Sequence, residues 1–329
     1  MKVLFIERRP FSSTSIERVF AQVGKDLKAQ GVEVEFQQLP FRSTPLGVIG
    51  NLLFFRPRAA DIFHLTGDGS YMILKLPRDR TVVTIHDLVG LHYRRGLRRK
   101  IIKAAFVGLA ARWAKYITAV SEATKNDICS NYERLKAVVR VIANPLIDGF
   151  EQHSQPDSGH RPVVLQVGTA ANKNLPRLID ALEGIDCHFR VIGHLDSETR
   201  NRLSDRSVAF SSIEGLDDNQ IVDEFKKASG VMFCSTYEGF GLPIIEAQAV
   251  GRPVVTSEIP PMTDVAGAAA IFVDPLDSMS IREGITLALN DTQLCETLVD
   301  AGFDNVKRFH GPDIAREYAD LYREVLNPR

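Results

Sequence analysis

Cysteine is scarce in this sequence. Its four residues, Cys129, Cys187, Cys234 and Cys295, form no C-x-x-C pair and no Cys/His spacing of a zinc site. That excludes a disulfide framework and a zinc ribbon, and reads as buried thiols in a reducing compartment. No apolar run approaches the ~18 residues of a spanning helix. The opening MKVLFIERR enters an apolar strand directly, without the charged, apolar and small-residue regions of a secretory leader. Short-period repeats and low-complexity segments are also missing, as is any Asp-x-Asp, so no metal need be invoked. What remains is ordinary globular composition, 44% apolar and 25% charged over 329 residues, enough for two domains.

Charge is nearly balanced overall, at −1, but not locally. Residues 1–150 hold 24 Lys and Arg against 13 Asp and Glu; residues 151–329 hold 16 against 28. A basic first half and an acidic second half direct the search for an anionic partner to the first.

Short apolar runs alternate with helical patterns. KVLFIE (2–7), VEVEFQQL (32–39), DIFHLT (61–66), TVVTIHD (81–87), YITAVS (116–121) and VVRVIAN (138–144) read as strands. IERVFAQVGKDLKAQG (16–31) reads as a helix, with Thr14 and Glu17 as a capping box and Gly31 as its stop. The polar stretch 147–162, rich in Pro, Ser and Gly, reads as a linker. Alternation then resumes with PVVLQVG, HFRVIG, SVAFSS, GVMFCS, RPVVTS and AAIFVD. Strands alternating with helices imply parallel sheets covered on both faces. The expected architecture is α/β, with two doubly wound, Rossmann-like domains facing across a cleft. Their expected spans are 1–150 and 151–311, with a last helix at 312–329 crossing back onto the first.

Ligands of such sheets bind beyond the carboxyl ends of the strands. One turn there reads STYEGFGLPIIEAQAVG (235–251). Gly239 and Gly241 allow close backbone approach, and the following helix aims its N-terminal amides at an anion. Glu238 in the loop and Glu246 one turn into the helix are placed to accept hydrogen bonds from vicinal hydroxyls. Two carboxylates beside phosphate-seeking amides suit a sugar nucleotide. The plainer alternative makes Glu238 a loop charge and Glu246 a helix-surface residue.

This stretch resembles the E-x7-E segment of retaining glycosyltransferases of family GT4, which have the GT-B fold. VLQVGTAANKNLPRLIDAL (164–182) is similar to the family's donor-phosphate loop. TIHDL (84–88) resembles its first-domain His-Asp segment, and AVSEAT, VIANPLI and SEIPPMTDVAGAAAIFVDP fall in the family's order. The resemblance implies that Glu246 binds ribose hydroxyls and Glu238 the transferred sugar. It further implies that the amides of Phe240, Gly241 and Leu242 meet sugar and phosphate. Lys173, after the Gly168 turn, would hold the diphosphate, and His86 would lie near the donor sugar with Asp87 holding that histidine or its loop. His86, Lys173 and Glu238 are thus the expected catalytic residues. Gly168, Asn172, Lys173, Glu238, Phe240, Gly241, Leu242 and Glu246 are the expected donor-binding set. Two departures stand out: Asn172 where the family has an arginine, and Arg9-Pro-Phe-Ser-Ser-Thr-Ser where it has a glycine-rich loop.

The implied reaction moves a sugar from a nucleotide-diphosphate donor to a glycan or lipid-diphosphate-linked acceptor, as in surface polysaccharide assembly, with no cofactor. The rivals are another GT-B enzyme, such as an epimerase, and a catalytically silent binding subunit. Residues 93–116 combine Arg94, Arg95, Arg98, Arg99, Lys100 and Lys103 with apolar positions near helical spacing. They read either as a helix for an anionic membrane surface or as an ordinary solvated amphipathic helix. A nucleic-acid partner is not expected, since the basic stretch carries no recognition motif. The expected location is the cytoplasm, peripheral on the inner face of the membrane.

Overall fold

The computed structural model of the protein describes residues 1–9, 15–89, 108–132, 139–155 and 159–327. Thr14 of the expected capping box, residues 10–14 of the first loop and most of the 93–116 segment lie outside the described residues.

The chain divides into two compact units, Met1–Ile147 with His310–Arg329, and Asp148–Phe309. The change of unit falls at Ile147 because residues 148–155 pack on the second unit. The Phe150 ring meets Phe225 edge-on at 5.2 Å, and Gln155 Nε2 donates to Gly251 O at 2.6 Å.

Each unit is built on a six-stranded sheet whose register is parallel throughout. The first contains β1 (Lys2–Glu7), β2 (Glu33–Gln38), β3 (Ile62–Leu65), β4 (Thr81–Ile85), β5 (Tyr116–Ala119) and β6 (Val139–Val141), in the order β2-β1-β3-β4-β5-β6. The second contains β7 (Val163–Val167), β8 (His188–Ile192), β9 (Ala209–Ile213), β10 (Gly230–Phe233), β11 (Val254–Ser257) and β12 (Ile271–Val273), in the order β12-β11-β10-β7-β8-β9. Every residue of β3, β4, β5, β10 and β11 is buried. A central parallel strand is covered by helices on both faces, which is why these segments read as unbroken apolar runs, not as alternation.

The apolar periodicity of the helices packs against those faces. In the Ser15–Ala29 helix, Val19, Phe20, Val23 and Leu27 turn inward. The last helix, Gly311–Leu326, lies along the Ser15–Ala29 helix and completes the first unit. In the second unit, Leu175, Leu178, Ile179 and Leu182 of the Leu175–Leu182 helix join Val164, Phe189 and Met232 in one core. Among the described residues no helix is long and apolar enough to cross a membrane.

Candidate functional site

Strand order says where to look. In the second sheet the winding reverses between β7 and β10, and ligands of open α/β sheets bind beyond the carboxyl ends at such a switch point. The loops there are 168–174, after β7, and 234–241, after β10.

Their side chains converge. Lys173 Nζ lies 2.7 Å from Glu238 Oε1, the two side chains being 16% and 13% exposed. Asn172 Nδ2 donates to the same oxygen at 3.0 Å and to Tyr237 O at 2.9 Å. Asn172 O in turn accepts from Thr236 N at 2.9 Å. The Lys173 ammonium also sits 4.5 Å from the centre of the Phe233 ring, a favourable cation–π position. The residue standing where the family has an arginine is therefore a buried clamp between the two loops. Gly168 makes the lysine's position possible: its φ is +85°, and a Cβ there would come within 3.1 Å of Lys173 Cε.

The opening stretch of the Leu242–Val250 helix leaves its first amides without a side-chain cap. Gly241 precedes it with φ 114° and ψ 50°, and Pro243 occupies its first turn. Uncapped amides at a helix start carry partial positive charge toward whatever lies in front of them. Phe240 is buried edge-on against Phe309 at 5.5 Å, so it offers a ligand its backbone only. Leu242 is half-buried at the first helical position. Glu246, the fifth residue of the helix, is 3% exposed. A helix-surface glutamate is thereby excluded, and a carboxylate is kept in the interior one turn behind the switch-point loops.

In the first sheet the reversal falls between β1 and β3. His86 follows β4, one strand further on, and its Nε2 lies 2.8 Å from Thr66 O at the end of β3. A carbonyl only accepts, so Nε2 carries the proton. Burial lowers the His86 pKa, opposed by the Thr66 hydrogen bond. The ring is thus neutral at pH 7, with Nδ1 its acceptor. Asp87 accepts from Val89 N at 2.9 Å, shaping the loop. Beside it, Arg8 bridges Glu17 at 3.0 Å and Asp68 at 2.7 Å.

Sequence reasoning missed Asn174. It is 3% exposed and left-handed, at φ 60°, a conformation asparagine tolerates better than other side chains. Its Nδ2 donates to Cys234 O at 3.0 Å and Pro275 O at 2.6 Å, tying the phosphate-type loop to β10. The available signal was an asparagine just before Leu-Pro at a helix start. Among the described residues no three His, Cys, Asp or Glu side chains gather as metal ligands.

Comparison with known proteins identifies the family and the fold. Residues 150–304 match the family model described as glycosyl transferases group 1, and residues 16–147 match that of glycosyltransferase family 4. The O-antigen chain mannosyltransferase RfbU of Salmonella typhimurium is 24% identical over 72% of this chain and 70% of its own. A GDP-mannose:cellobiosyl-diphosphopolyprenol alpha-mannosyltransferase of Komagataeibacter xylinus is 27% identical over 65% of this chain and 60% of its own. Among solved structures, a sucrose-phosphate synthase of Thermosynechococcus elongatus superposes with a TM-score of 0.79 at 17% identity, covering 100% of both chains. Anabaena HepE, solved in complex with UDP-glucose, gives 0.78 at 18% identity over 98% of this chain and 100% of its own. With two adjoining family models spanning residues 16–147 and 150–304 and the fold they require in both units, the chain belongs to the GT-B glycosyltransferases of family GT4.

Proposed function

We propose that the chain transfers a hexosyl residue from a nucleoside-diphosphate sugar with retention at the anomeric carbon and without a metal, GDP-mannose being the first donor to test. The observation that carries this reading is the Lys173, Asn172 and Glu238 cluster at the β7/β10 switch point, beside the uncapped helix behind Gly241. In this reading the diphosphate lies on the amides of Gly241 and Leu242 and takes Lys173 as counter-ion. Glu238, released from the lysine, accepts the donor sugar's hydroxyls, and Glu246 accepts those of the ribose.

No protein nucleophile is invoked. The bond from the anomeric carbon to the leaving phosphate oxygen breaks as the acceptor hydroxyl approaches on the same face, and that phosphate oxygen takes the hydroxyl's proton. The protein contributes positioning, together with positive charge where negative charge grows. Lys173 and the helix N-terminus supply that charge. His86 Nδ1 accepts from a substrate hydroxyl. The mannosyltransferase relatives favour a mannosyl donor and a lipid-linked or glycan acceptor.

The test is a panel of GDP-, UDP- and dTDP-sugars. A donor at 100 times its Kd adds about 2.7 kcal/mol of stability, visible as a raised melting temperature. The hit is then assayed for nucleoside diphosphate release and for the anomeric configuration of the product. An inverted product would overturn retention, and activity lost to EDTA and restored by a divalent cation would overturn metal independence. A donor that binds but is neither hydrolysed nor transferred would point to the silent binding subunit.

A further inference from the structure

The Pro45–Phe54 helix reads PLGVIGNLLF, without a single charge and with Asn51 its one polar side chain. Helices of that kind belong in a core, yet this one lies on the surface of the first unit. Its inner side carries buried Gly47 and Asn51, with Val48 and Leu52 packed on the core. Its outer side carries Leu46, Ile49, Leu53 and Phe54, which are 82%, 54%, 58% and 69% exposed. Leu46, Ile49 and Leu53 follow i, i+3, i+7 spacing, so they form one stripe.

Phe41 extends the stripe. Its ring covers Gly50, where a Cβ would lie 2.8 Å from Phe41 Cδ2, and is 6.2 Å from the Phe54 ring. The arrangement is held from below. Asn51, fully buried, accepts from Phe41 N at 2.9 Å and donates to Phe41 O at 2.9 Å and Tyr71 Oη at 2.7 Å. A buried amide bonded on both sides fixes the exposed phenylalanine in place, so the apolar face is a built feature of the surface and not a loose segment.

The rim is cationic. Residues 36–60 contain no Asp or Glu, and Arg42 and Arg56 flank the helix; Arg58, further on, is paired with Glu35 at 3.8 Å. Arg9 and Arg42 line a groove of about 590 Å³ beside Phe41, Leu46 and Phe54. Arg56 Nη1 donates to Leu53 O at 2.7 Å, holding its guanidinium at the helix end next to exposed Leu53 and Phe54. Apolar side chains ringed by guanidiniums match a surface that is oily beneath and anionic at its face. A second copy of this chain matches poorly, because a two-fold contact would bring the two arginine rims together.

We propose that the Pro45–Phe54 helix, with Phe41 and its arginine rim, docks the protein on an anionic membrane surface. This site is separate from residues 93–116 and does not depend on which donor is used. It would place the enzyme where a lipid-linked acceptor lies.

Flotation with vesicles of phosphatidylglycerol and phosphatidylcholine, against phosphatidylcholine alone, tests the idea. Wild-type protein should float with the anionic vesicles at low salt and at least tenfold less with the neutral ones. The variant Leu46→Gln/Ile49→Gln/Leu53→Gln should bind anionic vesicles at least tenfold more weakly while keeping its melting temperature and its donor hydrolysis, since all three side chains point to solvent. Arg42→Gln/Arg56→Gln should abolish the preference for anionic lipid. In Phe54→Trp the emission should shift to the blue on adding anionic vesicles. Wild-type protein that does not float, or a glutamine stripe variant that floats like wild type, overturns the proposal. So does a concentration-dependent dimer that the stripe variant abolishes, which would make the face a contact between copies. Loss of donor hydrolysis in wild-type protein would count against the transferase reading alone.

Discussion

At the scale of single residues, two cations in the second unit do different work. Arg252 is 1% exposed and faces carbonyls rather than a carboxylate. It donates to Ser154 O at 2.7 Å, Lys226 O at 2.8 Å, Gly251 O at 3.2 Å, and Phe225 O and His153 O at 3.3 Å. Burial lowers its pKa to about 10, so it stays charged at neutral pH. Phe225 and Lys226 stand in the last turn of the Asp218–Lys227 helix, where a cation meets the negative end of the dipole. Lysine has no planar fork to span five carbonyls. Arg252→Lys should therefore cost about 3 kcal/mol by urea denaturation, given roughly 1.5–3 kcal/mol per charge-assisted bond; an unchanged midpoint would show that the carbonyls find other donors. Lys173 is the cation of the proposed donor site. Lys173→Ala should lower kcat by roughly 10²–10³ while donor affinity changes less, because the leaving diphosphate gains charge in the transition state. Equal losses in binding and kcat/KM at intact kcat would make the lysine an anchor only. Glu246→Ala should weaken binding of the free nucleoside diphosphate by about 1.5–3 kcal/mol, as read by calorimetry, and unchanged affinity would remove Glu246 from the ribose site.

At the scale of elements, the turn into the Leu242–Val250 helix decides where its amides point. Gly241 has φ +114°, and a Cβ there would meet Ile244 Cδ1 at 3.0 Å and Phe233 Cε1 at 3.4 Å. Phe233 is also the ring beneath Lys173, so strain at this turn reaches the lysine. Gly241→Ala should destabilise the fold by about 1–3 kcal/mol and weaken donor binding together with turnover. Full donor affinity in a destabilised Gly241→Ala protein would separate the helix N-terminus from the diphosphate site. The helix itself was readable from Pro243 and Gly251. The burial of Glu246 was not, because a glutamate in a helix looks the same in sequence whichever face it takes.

At the scale of the whole molecule, the last helix is joined to the first sheet by buried polar groups. His64, fully buried on β3, lies 2.6 Å from Tyr322 Oη and 2.7 Å from Thr84 Oγ1, and Thr84 Oγ1 lies 2.6 Å from Thr118 Oγ1. Burial lowers the His64 pKa from 6.5 to about 3. Between these values the unfolded chain takes up a proton that the native protein refuses. This group's contribution is complete above pH 6.5 and is lost as pH falls toward 3, by about 1.4 kcal/mol per unit. Glu7 acts in the opposite sense: burial, then the charge of Glu17, raise its pKa from 4.5 to about 7, so its contribution is present below 4.5 and lost as pH rises through 7. The two slopes oppose each other between pH 4.5 and 6.5; below 4.5 the Glu7 slope is gone, and His64 acts in the same sense as Glu224, whose pKa is lowered against its burial by the bond to Arg190. Substituting His64→Gln should make the loss of urea midpoint between pH 4.5 and 3 shallower, leaving the part that paired carboxylates such as Glu224 contribute; identical wild-type and variant slopes would mean that the native pKa of His64 is not lowered.

Local periodicity carried much of this. Apolar runs of six to eight residues separated by helical patterns were enough to find every strand among the described residues, because a buried parallel strand needs no partner's identity to look apolar. Motif order was likewise legible, since Gly168, Lys173, Glu238 and Glu246 lie on turns and helix starts whose chemistry is written within a few residues. Strand order was not: the reversals at β1/β3 and β7/β10 come from which edges pair, and nothing local to a strand names its neighbour. The 2.7 Å meeting of Lys173 and Glu238, 65 positions apart, follows from that order, as does the use of Asn172 as their clamp. The same holds for Arg252, whose carbonyl partners reach 99 positions away, and for His64, 258 from Tyr322. The Pro45–Phe54 helix is the sharpest case. Its sequence has the composition of a core, and only the packing of the first unit leaves half of it facing outward.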